Sequence, residues 1–517
     1  MDVLLIEDLG QQRLNARALA AVLRQAGLSA RCLHFGPDSH AAGIVAQARE
    51  ENPRLIVLSI LFEHMATQSL ALADRLRANG IAAHLTMVGA LPTFACADLL
   101  AAAPALDSVL RGEAEASIVQ LATGLEEGNW QSTPGLAWRG GVNPLPRPTA
   151  NLDELPFPAW DDPLPVAHGV GFVTVEASRG CYHACALCLA SSFYRAGGRA
   201  YRQRSMSNLA EEMEALYRRG ARLFLFDDEQ FLPPRRARAA RVAALDEELQ
   251  RRGMEIAFTI KSRADDVEEA LFRQLQAMGL LRVYLGIESG CQATLDTLDK
   301  GTTVAQNVAA LTLLDALGIV ADFNCLIIQP WSTLETIRAE VDFLEEVLSL
   351  VPTPFTFHQV GCYAGTALAA RLRAEGRGAG PPWLPAYTLT DLRAELLRRL
   401  LPIVWGSASQ RLYEQIAQAW FNLLLRRRFQ RENPAAEMRA LRETVARLNR
   451  TALDIWREMI ALVEREPLPT VEQVNEQAAA WAGRVNTLAL HLGKTACLLP
   501  RPRRLRRTTR RRQAGTR

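Results

Sequence analysis

The sequence predicts an α/β protein made of two successive runs of strand–helix alternation followed by a helical region. Three observations carry that reading. Over residues 1–125, apolar strand-like runs alternate five times with helical stretches. The alternation resumes over 171–376 with six further strand-like runs. Beyond 390, apolar residues recur at helical spacing.

The first five runs are Val3–Ile6, Ala30–Phe35, Leu55–Ile60, Leu85–Val88 and Ser108–Leu110. Helical patterns such as Asn15–Gln25, stopped by Gly27, and Gln68–Ala78, stopped by Gly80, lie between them. Continuous apolar strands between amphipathic helices imply a parallel sheet covered on both faces, a doubly wound (Rossmann-like) domain. Ligands of such sheets sit at the carboxyl ends of the strands, near the switch in strand order. The turn after the first strand, Glu7-Asp8-Leu9-Gly10-Gln11, lacks Gly-x-Gly-x-x-Gly, so a nicotinamide or flavin dinucleotide is disfavoured.

At 517 residues the chain has room for two or three domains with separate cores. Its start, Met1-Asp2-Val3-Leu4-Leu5-Ile6, has no basic region and enters a strand directly, so a signal peptide is not expected. No apolar stretch approaches the roughly 20 residues of a membrane span, and no membrane partner is expected. Outside one triplet the other six of the nine Cys are scattered, which suits a reducing, cytoplasmic setting. The net charge of +3 is uneven: residues 501–517 carry nine Arg and no acid, leaving the body at −6. Such a tail either binds nucleic acid or anionic lipid or is a solvated, disordered end; the second reading is preferred, and nucleic acid is not expected as a partner.

The triplet is Cys181, Cys185 and Cys188, directly after the strand-like run Phe172–Gly180. Nine Cys in a chain of this length would give the spacing by chance only about 0.003 times. Three thiolates on one short loop can hold three corners of a 4Fe-4S cluster, whereas full protein ligation takes four Cys. The fourth iron is then open to a cofactor or substrate, which suggests chemistry rather than plain electron transfer. A structural zinc site or buried free thiols are the alternatives. No second Cys or His pair stands nearby at zinc-finger spacing.

With Leu187 before its last Cys, the triplet resembles the cluster loop of the radical S-adenosylmethionine (SAM) superfamily. The resemblance implies that the open iron chelates SAM and that one electron cleaves it to a 5′-deoxyadenosyl radical. Two further segments extend it. Val88-Gly89-Ala90-Leu91-Pro92-Thr93 and Val109-Leu110-Arg111-Gly112-Glu113-Ala114-Glu115 resemble the cobalamin-binding domains that precede many radical SAM domains. Gly89 and Gly112 would then let the backbone approach a large ligand closely. On this reading Gly89, Pro92, Thr93, Gly112 and Glu113 contact cobalamin, and the loop Ser59–Ala66 lies under the corrin, so that Ser59, Glu63 and His64 are candidates there. For His64 a loop-surface histidine is the competing reading. The Asp-x-His-x-x-Gly motif that supplies a lower cobalt ligand in other cobalamin proteins is absent, and Ala90 replaces a usual Gly.

Residues 126–170 read as an ordered linker rich in Gly and Pro, with a hairpin-like Leu136–Val142. Asn151–Asp161 also resembles the connector of the same family. In 171–376, strands near 172–176, 222–227, 255–260, 282–288, 319–327 and 354–360 resemble the partial (β/α)6 radical SAM barrel, whose catalytic groups lie at the carboxyl ends of the strands. The resemblance makes Glu288 an acceptor for the SAM ribose hydroxyls, Arg263 a fork for its carboxylate and Asp228 a contact near its amino end. A salt bridge or loop cap is the alternative for each. Gln329 and Trp331 stand where relatives carry flexible glycines. His358 is expected in barrel packing or substrate binding. Residues 377–500 form a helical region, starting near Thr390 with a cap, in three stretches near 390–429, 434–465 and 469–492; regions of this kind cover the barrel opening.

The resemblance therefore implies three cofactors, a 4Fe-4S cluster, SAM and cobalamin. It also implies a class B radical SAM methyltransferase, moving a methyl group from methylcobalamin to an unactivated carbon of a natural-product or peptide substrate after hydrogen abstraction. A flavodoxin- or ferredoxin-type electron donor is the implied partner. A cobalamin-dependent cyclase or rearrangement enzyme is the alternative reaction. A methylthiotransferase would need three N-terminal Cys, where only Cys32 and Cys96 are present. A non-catalytic cobalamin-binding protein would have no use for the triplet.

Overall fold

The computed structural model describes residues 1–8, 14–35, 41–60, 63–167 and 169–497; the side chains of 8, 35, 63, 64, 167, 407–411, 471 and 489–497 are outside that description, as is the Arg-rich tail 501–517. Strands β1 (Val3–Asp8), β2 (Ala30–Phe35), β3 (Leu55–Ser59), β4 (His84–Val88) and β5 (Ser108–Leu110) form a parallel sheet in the order β2-β1-β3-β4-β5. Alternate residues feed two cores. Leu4, Ile6, Ile56 and Leu58 pack one helical layer, and Val3, Leu5, Leu55 and Val57 the other. Each such buried side chain contributes about 1.5–3 kcal/mol, which is why these strands are apolar without alternation. The hairpin β6 (Leu136–Trp138) and β7 (Gly141–Val142), read from the sequence as part of a linker, extends this sheet antiparallel to β5.

The second sheet begins with β8 (Val166–Ala167), antiparallel to β9 (Val170–Val175). A ribbon of β10 (Ser178–Gly180) and β11 (Tyr201–Gln203) brackets the cysteine loop. The barrel continues through β12 (Ala221–Phe226), β13 (Ala257–Arg263), β14 (Leu280–Gly286), β15 (Val320–Asp322), β16 (Asn324–Ile328) and β17 (Thr356–Gln359). The run expected near 319–327 as one strand is broken at Phe323. β15 stays on β14, but β14 ends at Gly286, so β16 keeps only the bridge Cys325–Glu288 on that side and pairs with β17.

The C-terminal region departs from expectation in two ways. The stretch 390–429 is two helices, Leu392–Val404 and Gly406–Phe429, joined at Trp405, with Pro402 in the last turn of the first. The cap is Asp391, whose carboxylate accepts the amides of Arg393 and Ala394. The helix Gly406–Phe429 also does not cover the mouth. Its Ile416, Trp420 and Leu423 pack against Val170, Leu223, Ala257, Leu281 and Val320, which lie at or near the amino ends of the strands, and so close the barrel floor. Arg428 holds the same end, donating to the carbonyls of Ile256 and Met278 at 3.1 Å each. Helix Ala435–Val463 covers the last strand, its Trp456 ring set at a tilt against Phe357, which the Trp405 ring at the helix junction also contacts. Among the described residues no helix is long and apolar enough to cross a membrane.

Candidate functional site

Both sheets turn their carboxyl ends toward one open cleft. One wall is the first sheet: Glu7 and Ser59 end β1 and β3, the two strands at the switch in strand order, with Gly89 and Gly112 after β4 and β5. The opposite wall is Glu176 and Arg179 beside the cysteine loop, Phe193 and Tyr194 on the helix after it, and Asp227 and Glu229 after β12. Linker residues Leu152–Phe157 close a third side. Arg17 and Arg24 hold that linker down: Arg17 lies over the Trp160 ring at 4.2 Å and donates to the Ala159 carbonyl, and Arg24 pairs with Asp161 at 2.7 Å.

In the first wall, the Thr93 hydroxyl donates to the Gly89 carbonyl at 2.7 Å and accepts the Gly112 amide at 2.9 Å. The two glycine motifs are thus tied through one side chain. Gly89 has φ +122°, and a Cβ there would stand 1.9 Å from the Ile60 carbonyl oxygen. The glycine is required by the neighbouring chain of its own sheet, a reason beyond ligand approach. Pro92 occupies the first turn of helix Ala90–Ala102 and is buried. Ser59 accepts from Asn15 at 2.7 Å. Glu63 and His64 open the helix Glu63–Ala78, where a loop was expected, and their side chains lie outside the described residues. Glu113 lines the cleft with its carboxylate engaged, one oxygen by Arg179 at 2.9 Å and the other by Arg202, so that it also clamps the two sheets together.

The cysteine loop is fixed mainly through its backbone. Ala186 donates to the Leu298 carbonyl and accepts from the Leu368 amide, both at 2.9 Å. Cys188 caps helix Leu189–Ala196, its sulfur accepting the Ser191 amide at 3.3 Å. Burial pushes the Cys188 thiol up to about 12 and raises Cys181 as well. Metal coordination favours the thiolates that burial opposes. Among the described residues no three Cys, His, Asp or Glu side chains close on one point as a single metal ion requires, while a cluster takes each thiolate on a separate iron. Two cations stand against this loop. Arg263 approaches the Cys185 sulfur at 3.6 Å, its other nitrogens held by Asp265 and the Lys300 carbonyl. Lys300 is the second; burial would lower its pKa, but the Glu288 and Cys185 charges outweigh burial and raise it.

Glu288 adopts φ +63°, a strained geometry for a non-glycine residue, and accepts Lys300 Nζ at 2.8 Å. Gly286 leaves space for the pair, since a Cβ there would lie 2.7 Å from that nitrogen. Asp228 is a different case. It is buried, accepts the Ala177 amide at 3.0 Å and the Ser178 hydroxyl at 2.5 Å, and burial pushes it up to about 7. It holds the turn leading to the cysteine loop from behind; the cleft carboxylates are its neighbours Asp227 and Glu229. Trp331 also stays out of the cleft, between Arg371 at 3.8 Å and Arg377 while donating to Glu375.

The sequence reading missed Lys300, Arg179, Glu176 and Tyr194. A signal for Lys300 was present: the chain has only three Lys, and two of them, Lys261 and Lys300, sit at the barrel mouth. Arg179 has no comparable signal, being one Arg among 56; only its partners mark it.

Comparison with known proteins agrees with this geometry. The B12-binding domain family matches residues 11–122 and the radical SAM superfamily residues 175–343. An uncharacterised methyltransferase of Pyrococcus horikoshii is 30% identical over 254 residues, 47% of this chain and 54% of that one. The hopanoid C-3 methylase of Methylococcus capsulatus is 26% identical over 66% of each chain. An anaerobic magnesium-protoporphyrin IX monomethyl ester cyclase of Rubrivivax gelatinosus is 26% identical over 49% of this chain and 47% of its own. The chain thus spans about half to two-thirds of the curated relatives it matches. The structure of OxsB, a cobalamin-dependent SAM radical enzyme solved with aqua-cobalamin and SAM bound, covers 96% of this chain and 80% of its own at TM-score 0.70 and 18% identity, a likeness of fold. Fold and site define a radical SAM enzyme with an N-terminal B12-binding domain. The chain belongs to the cobalamin-binding-domain radical SAM enzymes, whose cofactor set is a 4Fe-4S cluster, SAM and cobalamin.

Proposed function

We propose that this enzyme is a C-methyltransferase acting on an unactivated carbon of a small natural-product or peptide substrate. The observation that carries the reading is the shared cleft: the carboxyl edge of the B12-binding sheet and the cysteine-loop side of the barrel line one chamber. When bound, the cluster and SAM supply a hydrogen-abstracting radical and the cobalamin a methyl group.

The residues have separate tasks. Cys181, Cys185 and Cys188 would hold the cluster, and the Arg263 and Lys300 cations offset thiolate charge beside it. Glu288, set by Lys300, would accept the SAM ribose hydroxyls. Arg263 is largely engaged by Asp265 and the Lys300 carbonyl, so we assign it to the cluster loop rather than to the SAM carboxylate. Asp228 supports the turn before that loop. The backbone at Gly89 and Gly112, with Ser59, Pro92 and Thr93, would cradle the corrin. The protein's share of catalysis is to place both reactive ends against one carbon and exclude water. Electrons would come from a flavodoxin- or ferredoxin-type donor.

The test is anaerobic reconstitution with iron, sulfide and hydroxocobalamin, followed by turnover with methyl-labelled SAM against candidate substrates. Label appearing in a carbon-bound methyl group supports the proposal. The cyclase relatives favour one other reading, ring formation without methyl transfer. Substrate consumed with 5′-deoxyadenosine released and no label incorporated would select it.

A further inference from the structure

A buried ion cluster joins the B12-binding sheet to the cysteine loop, and its centre is Arg179. This guanidinium, two residues ahead of Cys181, contacts Glu113 at 2.9 Å, Glu115 at 2.5 Å and Glu176 at 2.8 Å. Glu113 and Glu115 follow Gly112 at the end of β5, while Glu176 follows β9. The side chains of Arg179, Glu113 and Glu115 are only 11%, 10% and 9% exposed.

The local geometry makes sense only with these carboxylates in place. Arg179 and Arg202 are direct partners across the β10–β11 ribbon, where like charges repel. Glu113 stands between them and binds both, and Arg202 also donates to the Thr149 carbonyl of the linker at 2.5 Å. One carboxylate from the first sheet therefore fixes the ribbon that brackets Cys181–Cys188. Helix Ala90–Ala102, which begins at the Gly89 motif, packs on helix Leu189–Ala196, which begins at Cys188. Any displacement of the Gly112–Glu115 loop is transmitted to Arg179 through two charge-assisted contacts, from Glu113 and Glu115, rather than through solvent.

We propose that Arg179 is a positioning residue that couples cobalamin binding to the cluster. Cobalamin seated against Gly112 sets Glu113 and Glu115, these set Arg179, and Arg179 sets the start of the cysteine loop. Coupling of this kind is reciprocal, so a filled cluster must tighten cobalamin in the same proportion. The inference rests on the reading that cobalamin sits at the Gly89 and Gly112 motifs.

The experiment is a titration of the full-length chain with hydroxocobalamin, followed by absorbance, with and without the reconstituted cluster. In the unaltered protein we expect cobalamin to bind about tenfold more tightly with the cluster present, equivalent to about 1.4 kcal/mol. Cobalamin should also shift the electron paramagnetic resonance signal of the reduced cluster. In Arg179→Met the affinity ratio should fall to within twofold, with iron content retained and the signal no longer responsive. Glu115→Gln removes one arm with an isosteric amide; it decides the matter if the Arg179 variant fails to fold, and should roughly halve the logarithm of the ratio. A ratio of one in the unaltered protein, or a ratio undiminished in these variants, overturns the coupling while leaving cobalamin binding intact. Failure to bind cobalamin in any form overturns the functional reading itself.

Discussion

The Thr93 hydroxyl accepts the Gly112 amide at 2.9 Å while donating to the Gly89 carbonyl, so one side chain joins the loops after β4 and β5. Both loops line the cleft, and their relative position is fixed without a ligand.

Thr93→Val keeps the shape and removes both bonds: the Gly89 carbonyl keeps the Thr93 amide at 3.1 Å, but the buried Gly112 amide loses the hydroxyl it donates to. Such a group costs about 1–3 kcal/mol when left unmade. Chemical denaturation should show a loss of about that size and cobalamin should be retained less well on gel filtration. Thr93→Ser, which keeps the hydroxyl, should behave close to the unaltered protein.

Gly89→Ala should be worse. The positive φ and the 1.9 Å approach to the Ile60 carbonyl act together, and alanine at an incompatible backbone position costs more than about 1 kcal/mol. We expect a lower melting temperature and a loss of bound cobalamin, with iron content less affected. Unchanged melting would refute the claim that the sheet itself demands this glycine.

Lys300 and Gly286 serve one structure, the buried partner of Glu288. Lys300→Met frees the carboxylate, and Gly286→Ala displaces the ammonium. Both should weaken SAM binding in equilibrium dialysis by about tenfold, the order of one charge-assisted contact. Two variants with unlike effects would separate the glycine from the ion pair.

Asp228 gives a pH signature. Burial raises its folded-state pKa from 3.8 to about 7, so between about pH 4 and 7 the folded chain holds a proton that the unfolded chain has lost. The stability tied to this group is present in full below about pH 4 and is lost as pH rises through about 7. Glu340, raised by burial to about 7, adds a change of the same sign. Asp228→Asn removes one titration. Relative to the unaltered protein it should gain stability as pH rises from about 4 to about 7, by on the order of 1 kcal/mol per pH unit at most, and level off above. Parallel stability curves for the two proteins would show that Asp228 keeps an ordinary pKa.

What the sequence alone determined is what local order encodes. Periodicity marked the parallel strands of both sheets to within a few residues, apart from the break at Phe323, because a strand buried on both faces must be apolar throughout, as in Leu55–Ser59. The cysteine spacing and the Gly89 and Gly112 motifs were legible because their chemistry lies within a few consecutive residues. Tertiary structure decided the rest. Glu113 reads in sequence as part of a binding motif, yet Arg179 and Arg202, 66 and 89 residues away, claim its carboxylate. Asp228 differs from Asp227 and Glu229 only in which way the turn after β12 faces it. Glu288 finds Lys300 because Gly286 leaves the space. The helix Gly406–Phe429 lies at the barrel floor because the apolar residues at the amino ends of five strands are exposed there until it covers them. A charge or an apolar face does not specify its partner along the chain; packing assigns it, since a buried ion must be paired and a buried face must be filled.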